Sequence, residues 1–475
     1  MGAAGSPEVA RDASSSASAS TIAPRPDTAG SSAPVSLSIE PAGSATLARW
    51  LAPQERFDAL RATALAAGGA RFCDLAYANA WGGPPPEVRE ILRRAADRAG
   101  DLDLQYTPYG GAIVPRRHAA QALARRTGLP FKHDHLVLTP GAMSALSLLI
   151  RALPAGGNVV IPVPTWLDHP LYVATAGREP RLVPLREDDF STGSAGSAAD
   201  FSTGSAGSAA DFSTGLAGSA ADFSTGSAGS AADFSTGSAG SAADFGLDLD
   251  ALAQAVDADT RAVILTCPGN PTGKLFGAQE LTALADVLER APSAPLLISD
   301  ECHRDFVRDA FVSPVSSYAR TAVVYSYGKR FLVQGQRLGY AAISPRHPEA
   351  AVLVAELRRL ARAHGHGTPT ALMQQALPDL EALAPDVASV LVRKERTRAR
   401  LEAAGLTVRG DATMFLYVKV DDDWNATEAL AKRGVLVLPA AIFHHRGWIR
   451  LTASAREDML ERGLEHVITT VGGVA

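Results

Sequence analysis

Ser326-Tyr-Gly-Lys-Arg-Phe-Leu-Val-Gln-Gly-Gln-Arg-Leu-Gly339 is the stretch on which the reading of this chain turns. It follows a strand-like run, Thr321 to Tyr325, and sets Lys329 three residues after Ser326 and eight before Arg337. A lysine held on a Gly-bearing turn, with a hydroxyl and a guanidinium beside it, suits one chemistry. The amine forms a Schiff base with a carbonyl cofactor while Ser326 and Arg337 grip that cofactor's phosphate. A surface lysine in a loop is the plainer reading, but it leaves the spacing to the serine and the arginine unexplained.

Outward from this segment the chain alternates strand-like and helix-like runs. Leu136-Val-Leu-Thr139 is followed by Gly141 and an apolar helical run to Leu153. Asn158-Val-Val-Ile-Pro162, Ala262-Val-Ile-Leu-Thr266, Pro295-Leu-Leu-Ile-Ser-Asp300 and Thr321-Ala-Val-Val-Tyr-Ser326 are short buried-strand signals separated by helical stretches. Such alternation predicts an α/β fold with a mostly parallel sheet between helices, its functional groups collected where strands end and helices begin. After Pro345 the pattern changes. A charged amphipathic helix, Glu349 to about Ala363, leads to helices between Leu377 and Ala404. Strands near Thr413 to Val418 and Trp448 to Thr452 follow, which predicts a smaller α+β domain.

Two further segments carry chemistry on their own residues. In Thr139-Pro-Gly-Ala-Met-Ser-Ala-Leu146 a glycine turn opens a helix, so the backbone N–H groups of Gly141, Ala142 and Met143 are placed to cap a phosphate. In Ile298-Ser-Asp300-Glu-Cys-His303 an aspartate sits at the end of a buried strand, where it is costly unless paired, and a protonated pyridine nitrogen is a suitable partner.

In this order, and with the lysine segment, the chain resembles the class I/II aminotransferases. These are fold-type-I, aspartate-aminotransferase-like enzymes that use pyridoxal phosphate, and the resemblance spans roughly Leu51 to Thr470 without the repeat described below. It implies roles for several positions. Lys329 binds the cofactor and then moves the proton between the substrate's α-carbon and the cofactor. Trp166, in Pro162-Val-Pro-Thr-Trp-Leu-Asp-His169, stacks on the pyridine ring, and His169 supports the ring-nitrogen aspartate, Asp300. Asn270, in Cys267-Pro-Gly-Asn-Pro-Thr-Gly273, donates to the phenolic oxygen. Tyr106, in Tyr106-Thr-Pro-Tyr-Gly-Gly111, reaches the phosphate held by a neighbouring subunit, which implies a homodimer with shared sites. Arg450, in Trp448-Ile-Arg-Leu451, binds the substrate α-carboxylate through its planar fork, and Asn79, in Tyr77-Ala-Asn-Ala-Trp-Gly-Gly83, touches the same group.

One position departs from the family pattern. The tyrosine expected three residues after the ring aspartate is His303 here, either donating the same hydrogen bond to the phenolic oxygen or facing outward. The expected outcome is amino-group transfer between an amino acid and a 2-oxo acid. The rival on the same scaffold is a lyase, cyclase or oxidase acting on an amino acid. A regulator's sensor domain is a third possibility, but it requires a basic DNA-binding domain, and the first 45 residues hold two arginines and no lysine.

The bulk properties agree with a soluble enzyme. The 475 residues are 46% hydrophobic and 20% charged, with a formal net charge of −5, which gives no reason to expect nucleic acid or an anionic membrane as partner. Cys73, Cys267 and Cys302 are scattered and in no metal-ligand spacing, so no metal is expected and they read as reduced thiols of a cytoplasmic protein. No secretory signal and no membrane-spanning apolar run is visible; Met-Gly-Ala-Ala-Gly-Ser6 matches a short myristoylation pattern that its composition alone could produce.

Residues 1–45 are rich in Ala, Ser, Gly and Pro and are expected to be disordered. Asp189-Phe-Ser-Thr-Gly-Ser-Ala-Gly-Ser-Ala-Ala199 recurs from Asp200, Asp211, Asp222 and Asp233, five copies of eleven residues altered only by Leu216. Each copy has too little apolar surface to offset the entropy of ordering it, so the repeat reads as an expansion inside a surface loop. The expected division is a tail over 1–45, an N-terminal arm with part of the smaller domain over 46–88, a large cofactor-binding domain over 89–345 interrupted by the repeat at 189–243, and the smaller domain over 346–475.

Overall fold

Side chains alternate across each strand of a seven-stranded sheet, and that alternation builds two cores at once. Val137, Val159, Ile161, Ala322 and Val324 enter one apolar cluster, whereas their neighbours Leu136, Leu138, Val323 and Tyr325 enter another on the opposite face. Helices Ala142–Ala152 and Ala350–Ala363 supply the first face, and helices Pro86–Arg98, Ile113–Thr127 and Ala371–Ala382 supply the second. In this computed structural model the described residues are 44–79, 83–187, 245–308, 310–384 and 387–472. The tail up to residue 43 and the tandem repeat lie outside them.

Across the sheet the strands run in the order Leu136–Thr139, Gly339–Ile343, Thr321–Ser326, Leu296–Asp300, Thr260–Thr266, Asn158–Val163 and Glu179–Pro184. Gly339–Ile343 pairs antiparallel with both neighbours, and every other pairing is parallel. The α/β expectation of a mostly parallel sheet between helices is met. Gly339 stands opposite both Thr139 and Ser326, where a Cβ would lie 2.4 Å from the Tyr325 carbonyl oxygen and 2.9 Å from Gly141. The last residue of the opening segment is therefore a glycine for steric reasons.

A second sheet of four antiparallel-paired strands follows the order Val408–Arg409, Phe415–Lys419, Trp448–Thr452, Leu438–Pro439. Cys73–Asp74 pairs parallel with Val435–Leu436. Both sheets belong to one compact unit covering residues 45–475. The chain on either side of the repeat is held together: Arg186 pairs with Gly246 and Glu187 with Phe245 in an antiparallel ribbon. An insertion between paired residues leaves the ladder on both sides intact.

A buried lysine joins the second sheet to the first. Lys394, on helix Ala388–Ala403, is fully buried, and its Nζ donates to the carbonyls of Gly410, Asp411, Ala412 and Thr413 at 2.7, 2.8, 3.3 and 3.1 Å. The loop it gathers docks on the end of the larger sheet: the Ala412 amide donates to the Gly273 carbonyl and the Thr413 amide to the Phe306 carbonyl, both at 2.8 Å. Lys394→Met keeps the stem and removes the donor, leaving buried carbonyls unpaired. It should lower unfolding free energy by about 1–3 kcal/mol, read from the urea midpoint.

Candidate active site

The strand ends Thr266, Asp300 and Ser326 fall on one edge of the large sheet, with Gly141 just past Thr139 and Trp166 just past Val163. Around them lies a cavity of about 200 Å³ lined by Ala142, Met143, Trp166, Asn270, Asp300, His303, Ser326, Lys329 and Arg337, together with Leu146, Thr266, Cys302, Gly328 and Gln334. A second cavity, of about 310 Å³, shares Trp166, Lys329 and Gln334 with it and adds Tyr77, Asn79, Asp168, Phe415, Leu438 and Arg450 among others. Lys329 thus stands at the junction of an inner and an outer chamber.

The phosphate corner is built by exclusion. Gly141 has φ +83°, and a Cβ on it would sit 2.2 Å from Arg337 Nη2, so only glycine leaves room for the guanidinium. Arg337 is steadied by donating from Nη1 to the Gln334 carbonyl at 2.7 Å. The Ser326 hydroxyl borders the cavity and does not cap the helix that follows. One expectation is corrected here. The Gly141 amide donates to the Thr139 carbonyl at 2.6 Å, so it is not free for a phosphate, and the first-turn amides of Ala142 and Met143 remain for that purpose.

At the other end of the inner chamber, Asp300 is nearly buried. Its Oδ1 accepts from the Cys302 amide at 3.2 Å, and His169 Nε2 lies 3.4 Å from Oδ2 without aligning as a full hydrogen bond. His169 is anchored on its other nitrogen, 3.1 Å from Thr165 Oγ1. Burial opposes ionisation of Asp300, but the imidazole of His169 and the Cys302 contact outweigh it and hold the carboxyl below its ordinary range. A buried anion aimed into a cavity fits a cationic ring nitrogen.

His303 does not face outward. It is 3% exposed, lies edge-on to Phe415 with centroids 5.2 Å apart, and has a buried Nδ1 with no hydrogen-bond partner among the described residues. Burial, assisted by the Lys329 charge, pushes its pKa well below the usual imidazole value, so the ring is neutral near pH 7.

Arg450 is 2% exposed. Its Nη1 donates to Asn270 Oδ1 and its Nη2 to the Ala76 carbonyl, both at 2.7 Å, with the guanidinium 3.9 Å from the Phe415 ring centre. Two of its five N–H donors are engaged, so a carboxylate can still take a fork of the others. The same bond orients Asn270: its oxygen faces Arg450, which leaves its amide nitrogen as a donor into the inner chamber. Asn79 borders the outer cavity with an exposed side chain, and residues 80–82 of its segment lie outside the described residues. Tyr106 is fully exposed and lines neither cavity.

The sequence reading passed over Cys302, Gln334 and Asp168. Gln334 lies inside the opening segment and donates to the Ala78 carbonyl at 2.7 Å, tying the lysine turn to the wall that carries Asn79. Asp168 lies two residues after Trp166. Both could have been flagged as polar residues within a motif; Cys302 carried no signal beyond its place between Asp300 and His303.

Burial is the main cause that lowers the Lys329 amine to about 8, with the charges of Arg450 and Arg337 acting the same way. The unfolded chain holds that proton more tightly, so this group adds stability as pH rises from about 8 towards 10.5. In cofactor-free protein, the increase in urea midpoint over that window should be smaller in Lys329→Met than in the wild type. At the phosphate corner, inorganic phosphate should raise the melting temperature of cofactor-free protein, and Gly141→Ala should remove most of that increase by displacing Arg337.

Comparisons with known proteins show what the chain as a whole is similar to. The family model described as aminotransferase class I and II matches residues 71–202 and 221–467. An aromatic amino acid aminotransferase of Thermobifida fusca is 26% identical over 365 residues, covering 76% of this chain and 80% of the relative. A probable aspartate/prephenate aminotransferase of Thermus aquaticus is 25% identical, over 80% of this chain and 86% of the relative. Among solved structures, an aminotransferase from Eubacterium rectale superposes with a TM-score of 0.70 at 22% identity, over 88% of this chain and 94% of that one. N-Succinyldiaminopimelate aminotransferase from Mycobacterium tuberculosis does so with a TM-score of 0.68 at 23% identity, over 89% and 99%. This chain belongs to the class I and II aminotransferase family and is an enzyme that transfers amino groups.

Proposed function

We propose that this enzyme uses pyridoxal phosphate to move an amino group between an amino acid and a 2-oxo acid, with Lys329 as the residue that binds the cofactor. The observation that carries this reading is the placement of Lys329 between the two chambers, one ending in Arg337 and Asp300 and the other in Arg450.

The fit can be judged from the side chains. Arg337, Ser326 and the amides of Ala142 and Met143 suit a phosphate, and Asp300 backed by His169 suits a protonated pyridine nitrogen. Trp166 offers a ring face, while Asn270 Nδ2 and the neutral His303 offer donors for a phenolic oxygen. When bound, pyridoxal phosphate supplies a ring that accepts the electron pair left on the substrate α-carbon. Arg450 orients the substrate by its carboxylate. With its pKa near 8, the Lys329 amine has a neutral fraction at pH 7 that can take the α-proton and return it.

A homodimer is part of this proposal. Leu102, Leu104, Tyr106, Tyr109, Ile113 and Val114 are all exposed within a thirteen-residue segment, an apolar surface that a second copy would cover. Three free cysteines, two of them buried, support a reducing compartment, and among the described residues no helix is long and apolar enough to cross a membrane.

Two measurements test the proposal. Purified wild type should carry a cofactor absorbance band that survives dialysis, and Lys329→Ala should lose it; a band that persists in the variant removes Lys329 from this role. Incubation with amino acids should yield 2-oxo acids only when a 2-oxo acid acceptor is present. Ammonia or a cyclic product formed without acceptor would favour the lyase, cyclase or oxidase alternative instead.

A further inference from the structure

Asp168 is a carboxylate with almost nothing to do in the fold. It occupies the position before helix His169–Thr175, where an aspartate would ordinarily accept from a first-turn amide, yet its side chain makes no capping hydrogen bond. Its hydrogen bond from a neighbouring side chain is a long one, from Tyr172 Oη to Oδ2 at 3.5 Å. It lines the outer cavity, two residues from Trp166. Burial raises its pKa, and the charge of His169 with the side chains of Tyr172 and Trp166 offsets this only in part.

The remaining charges of that cavity are assigned. Arg450 is held by Asn270 and Ala76 and is set to take a carboxylate, and Lys329, which borders both chambers, is committed to the cofactor in the reading above. Outside the lining, Asp58 accepts from Gln54 at 2.9 Å and from Tyr77 Oη at 3.4 Å, and Arg61 acts on the same tyrosine with the opposite charge, so that side adds no clear sign to the cavity. Tyr77, Leu167, Phe415 and Leu438 supply apolar wall between these groups. A ligand carboxylate at Arg450 therefore faces a lining that, among the described residues, offers an acidic side chain no free cation and a basic one an available anion.

Resting on the transfer reading above, we infer that the preferred amino-acid substrate has a side chain ending in a cationic hydrogen-bond donor, an ammonium or a guanidinium, which Asp168 receives. Its methylene stem lies along Tyr77, Leu167 and Leu438. Acidic side chains are rejected, because they bring a second anion to Asp168 without a cation to compensate.

Calorimetric binding to the cofactor-loaded enzyme tests this without turnover. Pentanoate, glutarate and 5-aminopentanoate have similar length and share one carboxylate, but end in a methyl, a carboxylate and an ammonium. The third should bind roughly tenfold or more tightly than either of the others. Asp168→Asn should bring it to the level of pentanoate, and Asp168→Glu should keep most of the preference. Equal binding of pentanoate and 5-aminopentanoate overturns the inference, as does a preference that survives Asp168→Asn. Tightest binding by glutarate, the result if a second copy brings a cation to this cavity, overturns it too. Steady-state kinetics separate this inference from the reading beneath it. If amino acids react but lysine and ornithine do no better than leucine or glutamate in kcat/KM, the substrate class alone fails. If no amino acid passes its amino group to a 2-oxo acid while the ammonium preference in binding holds, the transfer reading fails.

Discussion

Arg450 holds this molecule's site together through two hydrogen bonds that reach far along the chain. From one strand of the four-stranded sheet it donates to Asn270, 180 residues away, and to Ala76, 374 residues away. Burying a guanidinium is costly unless hydrogen bonds and a covered plane offset the lost water; here two of its donors are engaged, and Phe415 and Phe443 flank it at 3.9 and 5.0 Å. Those demands position the loop after Thr266, the wall around Ala76 and the second sheet relative to one another. They also set the amide of Asn270 with its nitrogen towards the inner chamber. Disturbing one bond would therefore be felt at the cofactor end and the substrate end together.

Around that arrangement the electrostatics sort themselves by burial. Asp300 keeps its charge against its burial because His169 and Cys302 lie beside it, whereas His303, buried against Phe415 and near Lys329, is held neutral. The same burial makes Lys329 a weaker base than an exposed lysine. A site with an anion at one end, cations at the phosphate and carboxylate corners and a poised amine between them suits proton transfer at a substrate carbon. His303 stands where the resemblance leads one to expect a tyrosine, and its buried Nδ1 has no hydrogen-bond partner among the described residues.

Much of the large sheet was legible as five apolar runs, four of them ending in a polar residue, because a strand buried on both faces must be apolar along its length. The runs around Val137, Val159, Ile264, Ile298 and Val324 were all read as strands. Gly339–Ile343 was not, since Gly-Tyr-Ala-Ala-Ile has small residues and only its antiparallel place between two strands makes it one. Helix Ser44–Gly68 escaped as well, its alanine-rich sequence showing no apolar stripe. At the site, Lys329, Ser326 and Arg337 were readable as a spaced set, and so were Trp166 with His169 and Asp300 with His303. Local spacing carries such sets. The engagement of the Gly141 amide by Thr139 was not readable, because it depends on how tightly the turn closes.

By itself the sequence determined the α/β architecture, through hydrophobic periodicity, and the identity of the groups at the strand ends, through residues a few positions apart on one turn; the family came from the resemblance those motifs carry and from the matching family model. Only the tertiary structure decided which of these groups share a chamber, that His303 points inward and neutral, and that Asp168 lines the outer cavity with no ion pair among the described residues. Those outcomes depend on burial and on contacts between segments hundreds of residues apart, and neither is encoded in local spacing.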